Sequence, residues 1–384
     1  MPEPAAGTPI ADLDTPALLI DLDILQSNID HMAAFFRGKA AHLRPHVKSH
    51  KLPEVARLQV AAGAPGVCAA KVGEAEAMVD GGITDVLIAN QVVGGAKILR
   101  LIDLAERARI SVAVDNADNV AALSRAARDR SATIGVFVEV DVGMNRCGVD
   151  DAETALALSR QVADAKGLEF LGLMGYEGHI TNIKDAAQRA EACRNSMAKV
   201  TAAAEYVRGH GVPVNDVTGG GTMSYDISGV YPGVTEIQAG SYALMDVNFR
   251  NMGLPAGRKE GSPFRCAMSL LTTVMSVPRR GVAIVDAGMK SITHEFGLPE
   301  VKDRPGITLA RLSEEHARLD TSGGQAEALH TAGGQACGTL RLGDKIELLP
   351  SHGCTTVNLH DRAYATRNGR VEDIWEITAR GKSQ

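Results

Sequence analysis

From residue 17 to about residue 250, short apolar and β-branched runs alternate with stretches whose apolar residues recur at helical spacing. Leu25, Ile29, Met32 and Phe36 step by four, three and four, which sets them on one face of a helix. The spacing then predicts a strand over 42–48, a helix over 52–62 and a strand over 66–70. A helix over 71–79 follows, with the Gly81-Gly82 pair as its stop signal. The run Val86-Leu87-Ile88-Ala89 marks a buried strand over 85–90, and Ile98, Leu101, Ile102 and Ala105 mark the next helix face. Strands over 111–114, 134–141, 168–174, 214–218 and 235–239 continue the alternation. Near-continuous apolar strands separated by helices are what a parallel sheet with covered faces requires. Roughly eight of them in about 230 residues match a (β/α)8 barrel, for which ~250 residues is typical. A doubly wound open sheet is the rival arrangement.

The rhythm changes beyond residue 250. Residues 251–264 are rich in Gly, Pro and charge, as in an interdomain linker. After them, 267–276, 282–286, 307–312, 345–349, 363–367 and 370–377 read as short strands divided by glycine-rich turns, with no long helix. The expected organisation is an N-terminal segment, 1–24, packing with a C-terminal domain. The barrel then occupies 25–255 and a mainly-β domain occupies 256–384.

Composition narrows the function. The chain has 384 residues, 40 Lys+Arg against 46 Asp+Glu and a net charge of −6. That balance gives no electrostatic reason to expect nucleic acid or an anionic membrane as partner. No apolar run approaches the ~18–20 residues of a membrane span. The start, Met1-Pro2-Glu3-Pro4, lacks the basic and apolar regions of a secretory signal. Cysteines 68, 147, 193, 266, 337 and 354 are too scattered for a disulfide framework. A reduced, cytoplasmic protein is expected.

Four constellations could carry chemistry. In Arg44-Pro45-His46-Val47-Lys48-Ser49-His50-Lys51, strand alternation would point His46, Lys48 and His50 to one face. Inward, Lys48 would stand at the C-terminal mouth of a barrel strand, as a nucleophilic amine for a Schiff base; outward, the stretch is a solvated basic turn. Thr218-Gly219-Gly220-Gly221-Thr222 follows a predicted strand, so its amides could cradle a phosphate or merely form a flexible turn. His352 and Cys354, two apart, could both face a divalent metal in an open site, or be neighbours by chance. Arg146, in the loop after residues 139–141, could hold a phosphate or phenolate oxygen, or pair with Asp141.

Taken together these motifs resemble the D-threonine aldolase and D-serine dehydratase group of fold-type III pyridoxal-phosphate enzymes, which share a barrel with alanine racemases. The resemblance runs from Asp14-Thr15-Pro16-Ala17-Leu18 through 44–51, 138–149, 218–224 and Glu236-Ile237-Gln238-Ala239-Gly240-Ser241-Tyr242. It continues through Asp286-Ala287-Gly288-Met289-Lys290 and 352–361 to Trp375-Glu376-Ile377-Thr378-Ala379-Arg380-Gly381. It implies that Lys48 carries pyridoxal 5'-phosphate as an internal aldimine. Thr218, Gly220, Gly221 and Thr222 would hold the phosphate, with Tyr242 nearby. Arg146 would contact the phenolic oxygen, and Tyr176 would line the pocket. His352 and Cys354 would bind a divalent metal (Mn2+, Zn2+ or Mg2+), and the molecule would be a homodimer.

The implied activity is a lyase reaction on D-β-hydroxy-α-amino acids, foremost retro-aldol cleavage to glycine and an aldehyde. The alternative is dehydration of D-serine or D-3-hydroxyaspartate to a 2-oxo acid; an amino acid racemase and a non-catalytic cofactor carrier are the readings from other classes. The chain departs from the aldolase pattern at four positions. Cys354 stands where aldolases have Asp and resembles the zinc-favouring dehydratases. Glu177 and Asn182 stand where aldolases carry His, and Ala70 replaces a glutamine. Asn cannot accept a proton, so Glu177 or His179 is expected as the base.

Overall fold

The computed structural model describes residues 4–252, 262–323 and 340–384. Most of the expected linker, the first three residues and Cys337 lie outside the described residues. Contacts divide the chain into two units. One comprises Met1–Asn28, Ala243–Asn251 and Pro263–Arg380; the other comprises Ile29–Tyr242, Met252–Ser262 and Gly381–Gln384.

Strand β1 (Ala17–Asp21) belongs to the first unit, and helix α1 (Leu22–Phe36) leads into the second. There β2 (His42–Leu43), β3 (Val67–Ala69), β4 (Asp85–Gln91), β5 (Arg109–Val114), β6 (Ile134–Glu139), β7 (Leu168–Gly175), β8 (Asp216–Gly219) and β9 (Glu236–Ile237) pair in parallel, in the order β2-β9-β8-β7-β6-β5-β4-β3. Cys68 N donates to Pro45 O at 2.8 Å, and His46 forms a parallel bridge with Cys68. That contact joins the chain just after β2 to β3, the two ends of that order, and closes the barrel. Helices α2 (Pro53–Ala61), α3 (Val72–Asp80), α4 (Gly95–Ala105), α5 (Ala117–Asp129), α6 (Ala152–Asp164) and α7 (Ala186–Gly209) intervene between the strands. Their starts are chemically marked. Pro53 sits at the first turn of α2, while Asn116, Asp151 and Asp185 cap α5, α6 and α7 through N–H donors 2.7–3.2 Å away.

The interior is filled by Cys68, Leu87, Ala113, Phe137, Leu171 and Met174, drawn from five successive strands. The remaining sector is ionic. Glu236, 2% exposed, accepts from Arg44 Nε at 2.6 Å, from His42 Nε2 at 2.9 Å and from Thr218 Oγ1 at 2.8 Å. Arg44 also reaches Asp85 at 2.6 Å. Burial opposes ionisation of Glu236, but its bonds to His42 and Arg44 outweigh that and bring it down to about 2.

The strand predicted over 42–48 is shorter than expected. Pairing with the last strand runs through Arg44 N and His46 N, and the backbone then tightens into a 3-10 turn, Val47–Ser49. Pro45 supplies no N–H to extend the ladder. Strand alternation therefore ends before Lys48.

In the first unit β1 is an interior strand of a sheet with nine strands among the described residues. It pairs antiparallel with β10 (Met268–Arg279) and in parallel with β16 (Arg362–Arg367). The other members are β11 (Val282–Val285), β12 (Glu300–Val301), β13 (Thr308–Leu312), β14 (Ala317–Asp320), β15 (Lys345–Leu349) and β17 (Arg370–Glu376). Side chains of neighbouring residues go to opposite faces. Leu270 joins a core with Val285, Leu319 and Leu348, while Leu271 joins Leu13, Leu19 and Val371. Both faces of β10 are thus buried. No helix among the described residues is long and apolar enough to cross a membrane.

Because Glu236 is depressed in the fold, its stabilisation is complete above its ordinary value of about 4.3 and lost as pH falls toward 2. Glu236→Gln is expected to remove about 3 kcal/mol at pH 7 by leaving Arg44 without its buried partner. It should also flatten the pH dependence between about 4 and 2; urea midpoints across that range measure both effects.

Candidate active site

The loops after the barrel strands bring most of the expected residues to the end where the strands' carboxyl termini lie, the functional end of such barrels. Lys48 sits in the turn after β2, and its Nζ lies 5.5 Å from the centroid of the Tyr176 ring, which follows β7. Arg146 Cζ, from the loop after β6, lies 5.6 Å from the same centroid. The other charges of the basic stretch are neutralised. Arg44 is paired with Glu236 and Asp85, and Lys51 with Glu74. Burial lowers His46 well below its usual range, with Lys48 and His50 reinforcing it, and burial brings His50 to about 3. Among the described residues Lys48 forms no ion pair with a carboxylate. It is an amine facing an aromatic ring.

Arg146 is positioned by its loop. Asp141 accepts N–H bonds from Gly143 (2.9 Å) and Asn145 (3.1 Å), which outweigh burial and lower its pKa. No Asp141–Arg146 ion pair forms among the described residues. Behind the loop Gln91 Nε2 donates to Glu139 (2.5 Å) and Asp115 (3.1 Å), and burial raises Glu139.

The three glycines after Thr218 differ in purpose. A Cβ on Gly219 would stand 2.0 Å from Gly175 O, so this glycine exists to let β8 approach β7. Gly220 has φ +71°, which favours glycine. A Cβ on Gly221 would meet nothing nearer than Tyr176 Cε2 at 3.6 Å, so this face of the turn is open toward the aromatic ring. Gly178 leaves room for that ring, since a Cβ there would lie 2.5 Å from Tyr176 Cε1.

Two expectations for individual side chains change. Thr218, 1% exposed, donates its hydroxyl to Glu236 and accepts from Gln238 Nε2 at 2.9 Å, so that hydroxyl is committed to the barrel interior. Glu177, expected as a base, is 1% exposed and already occupied. It accepts from Gly220 N (3.1 Å), Ser224 Oγ (2.6 Å) and Ser228 Oγ (2.8 Å). The carboxylate lies beneath the glycine turn and holds it. Cys193 also approaches Glu177, and burial pushes that thiol up to about 12. Thr222 Oγ1 accepts from Tyr242 N at 3.0 Å, which leaves its own hydrogen for another acceptor. Tyr242 is fully buried with Gln59 Nε2 donating to its Oη at 2.9 Å, and burial raises its phenol. His179 stacks close to Gly143 and has a buried Nδ1 with no hydrogen-bond partner among the described residues.

In the β unit, His352 precedes the short helix Gly353–Val357, and Cys354 lies in its first turn. His352 Nδ1 meets Asp246 Oδ2 at 3.0 Å. Burial opposes a charge on this ring, but hydrogen bonds with Asp246 and Cys354 outweigh it and raise His352 to about 10. No three potential ligands cluster for a metal among the described residues. The motif reading gave no role to Asp246, Ser224, Ser228 or Gln59. Asp246 lies 106 positions before its partner, a distance no local spacing can bridge.

A closed parallel barrel with an amine, an aromatic face and a glycine turn at the carboxyl ends of its strands has the architecture of the alanine racemase class. Residues 20–246 match the alanine racemase N-terminal domain family, and residues 267–366 match the putative serine dehydratase domain. The chain is 42% identical to a D-threonine aldolase of Arthrobacter sp, over 100% of this chain and 97% of that protein. It is 36% identical to a 3-hydroxy-D-aspartate aldolase of Paracoccus denitrificans (strain Pd 1222), over 98% and 94% respectively. The crystal structure of D-threonine aldolase from Filomicrobium marinum superposes with a TM-score of 0.90 at 40% identity, over 99% of each chain. The chain therefore belongs to the D-threonine aldolase and D-serine dehydratase group of fold-type III pyridoxal-phosphate enzymes, built on the alanine racemase barrel.

The glycine assignments are separable. Gly219→Ala is expected to cost about 1–3 kcal/mol, because backbone rather than a movable side chain blocks its Cβ. Gly221→Ala should leave stability within about 0.5 kcal/mol of the parent. Denaturant midpoints of the two variants decide it.

Proposed function

We propose that the protein is a pyridoxal-phosphate- and divalent-metal-dependent lyase that cleaves D-β-hydroxy-α-amino acids of the D-threonine type to glycine and an aldehyde. The observation that carries this reading is the Lys48 amine, which pairs with no carboxylate among the described residues and stands 5.5 Å from the centroid of the Tyr176 ring, the ring that the open face of Gly221 also approaches. Likeness over nearly the full length to two aldolases supports the same reaction.

The residues present fit the cofactor. Lys48 offers the amine that an aldehyde-bearing ligand needs, and the face of Gly221 is a cradle that a larger side chain would begin to fill. Pyridoxal phosphate bound there supplies an electron sink for charge developing at the substrate's Cα. Thr222 offers a hydroxyl to the phosphate, and Glu177 acts as a positioning residue that fixes the Gly220 amide and the Ser224 and Ser228 hydroxyls. Arg146 brings charge-assisted hydrogen bonds to an oxyanion beside the Tyr176 ring. With Glu177 occupied, His179 is the residue assigned to take the proton, at its unpartnered Nδ1.

His352 and Cys354 fit a divalent cation of zinc type. An imidazole and a thiol two positions apart at the start of one short helix form a mixed nitrogen and sulfur donor pair. Two protein ligands leave positions for water or substrate, and a metal held there supplies Lewis acidity toward a hydroxyl oxygen. A homodimer is part of the reading, on the strength of the family likeness.

Dehydration is the second reading, favoured by the thiol at position 354 and by the match of residues 267–366 to the serine dehydratase domain. Incubation with D-threonine, D-serine and D-3-hydroxyaspartate under added Mn2+ or Zn2+ decides between the two. Glycine with aldehyde is expected; ammonia with a 2-oxo acid would replace the aldolase reading, and chelator-insensitive formation of the L-isomer would indicate racemisation. Lys48→Ala should abolish both turnover and the visible absorbance of the cofactor-loaded protein. His179→Asn should retain that absorbance while kcat falls about 10²–10⁴-fold.

Glu177→Gln tests positioning against base chemistry. Cofactor affinity is expected to weaken about tenfold, the effect of roughly 1.4 kcal/mol, with kcat at saturating cofactor near the parent value. A collapse of kcat with cofactor affinity unchanged would restore Glu177 as the base.

A further inference from the structure

We propose that Asp246 is the positioning residue of the metal site, holding the His352 imidazole by Nδ1 so that Nε2 is the nitrogen presented to the cation. The inference rests on the assignment of His352 and Cys354 as metal ligands and adds a residue from a distant part of the chain.

Asp246 is 1% exposed, and three contacts prevent its carboxylate from swinging. Oδ1 accepts from Phe249 N at 2.9 Å, in the first turn of the helix Val247–Met252. Oδ2 accepts from Gly353 N at 3.0 Å and meets His352 Nδ1 at 3.0 Å. The imidazole backbone is tied as well, since Thr356 Oγ1 donates to His352 O at 2.8 Å and Thr293 Oγ1 donates to it at 3.2 Å. Phe296 and Phe249 stand edge-on to the ring, with centroids 5.1 and 6.1 Å away, and restrict its rotation.

The chemical consequence follows from the inventory of imidazole. A cation takes the place of one ring proton, and a carboxylate at Nδ1 keeps the remaining proton there. The lone pair is then at Nε2. A carboxylate behind a ligating histidine also raises the basicity of the ligating nitrogen and fixes the ring plane. A site with only two protein ligands depends on such preorganisation more than a closed four-ligand site does. Gly353 contributes too: its N–H is the second hold on Asp246 Oδ2, and it lies between the two ligands in sequence.

The test uses full-length protein loaded with pyridoxal phosphate and stripped of metal, comparing the parent with Asp246→Asn and Asp246→Ala. Zinc affinity and stoichiometry are read by competition with a chromogenic chelator, and zinc-free Tm is recorded for each protein. The parent is expected to bind one zinc per chain, and both variants to bind it about 10–100-fold more weakly. Asp246→Asn keeps a carbonyl for the Phe249 N–H and is the variant expected to hold its zinc-free Tm. Parent-like affinity in the folded fraction of both variants overturns the role of Asp246 while leaving the metal site standing. A parent that binds no zinc overturns the metal assignment itself, and the inference with it.

Discussion

An ionisable group withdrawn from water costs several kcal/mol unless a partner of opposite charge or a set of hydrogen bonds meets it. Throughout the barrel this constraint is satisfied for nearly every charge. Arg44 is clasped by Glu236 and Asp85, Lys51 by Glu74, Asp141 by backbone amides and Glu177 by two serines and a glycine N–H. His46 and His50 meet it by losing their charge. What remains are Lys48 and Arg146, each beside the Tyr176 ring. Of the two only the lysine offers a primary amine, so the reactivity of the site is defined by subtraction.

Much of the barrel was legible because its strands are continuous apolar runs flanked by breakers. The strands expected over 66–70, 85–90 and 168–174 lie within two residues of β3, β4 and β7. The alternation rule failed at Lys48, since a proline and a 3-10 turn end the strand, yet the lysine still reaches the mouth by following β2. Motif order located Tyr176, Arg146 and the glycine turn, because these residues lie just after strands. Hydrogen-bond partners were not legible. Glu177 looked like a base until its oxygens were found occupied, and Thr218 looked like a phosphate ligand until its hydroxyl was found on Glu236. Residue type states what a group can do, and only its neighbours state what it is left free to do.

The glycine run makes the same point in a single pentapeptide. Three identical residues answer three different demands: strand approach at Gly219, a positive φ at Gly220 and an open face at Gly221. In sequence they read as one phosphate signal. In the fold only the last presents space, and the geometry of the middle one is underwritten by a carboxylate contributed by the loop after a different strand.

The place of β1 bears on how the chain is made. This strand precedes both its neighbours in the chain, yet it lies between β10 and β16, with Ile20 opposite Met268 on one side and Ala365 on the other. On a ribosome it must wait for the whole barrel sequence before β10 emerges, and for most of the β unit as well before β16 does. The barrel strands between them appear in nearly the order in which they pair, so they can organise as they are synthesised. The nascent chain thus carries an apolar β ribbon, Ala17-Leu18-Leu19-Ile20, through most of its synthesis without its final company.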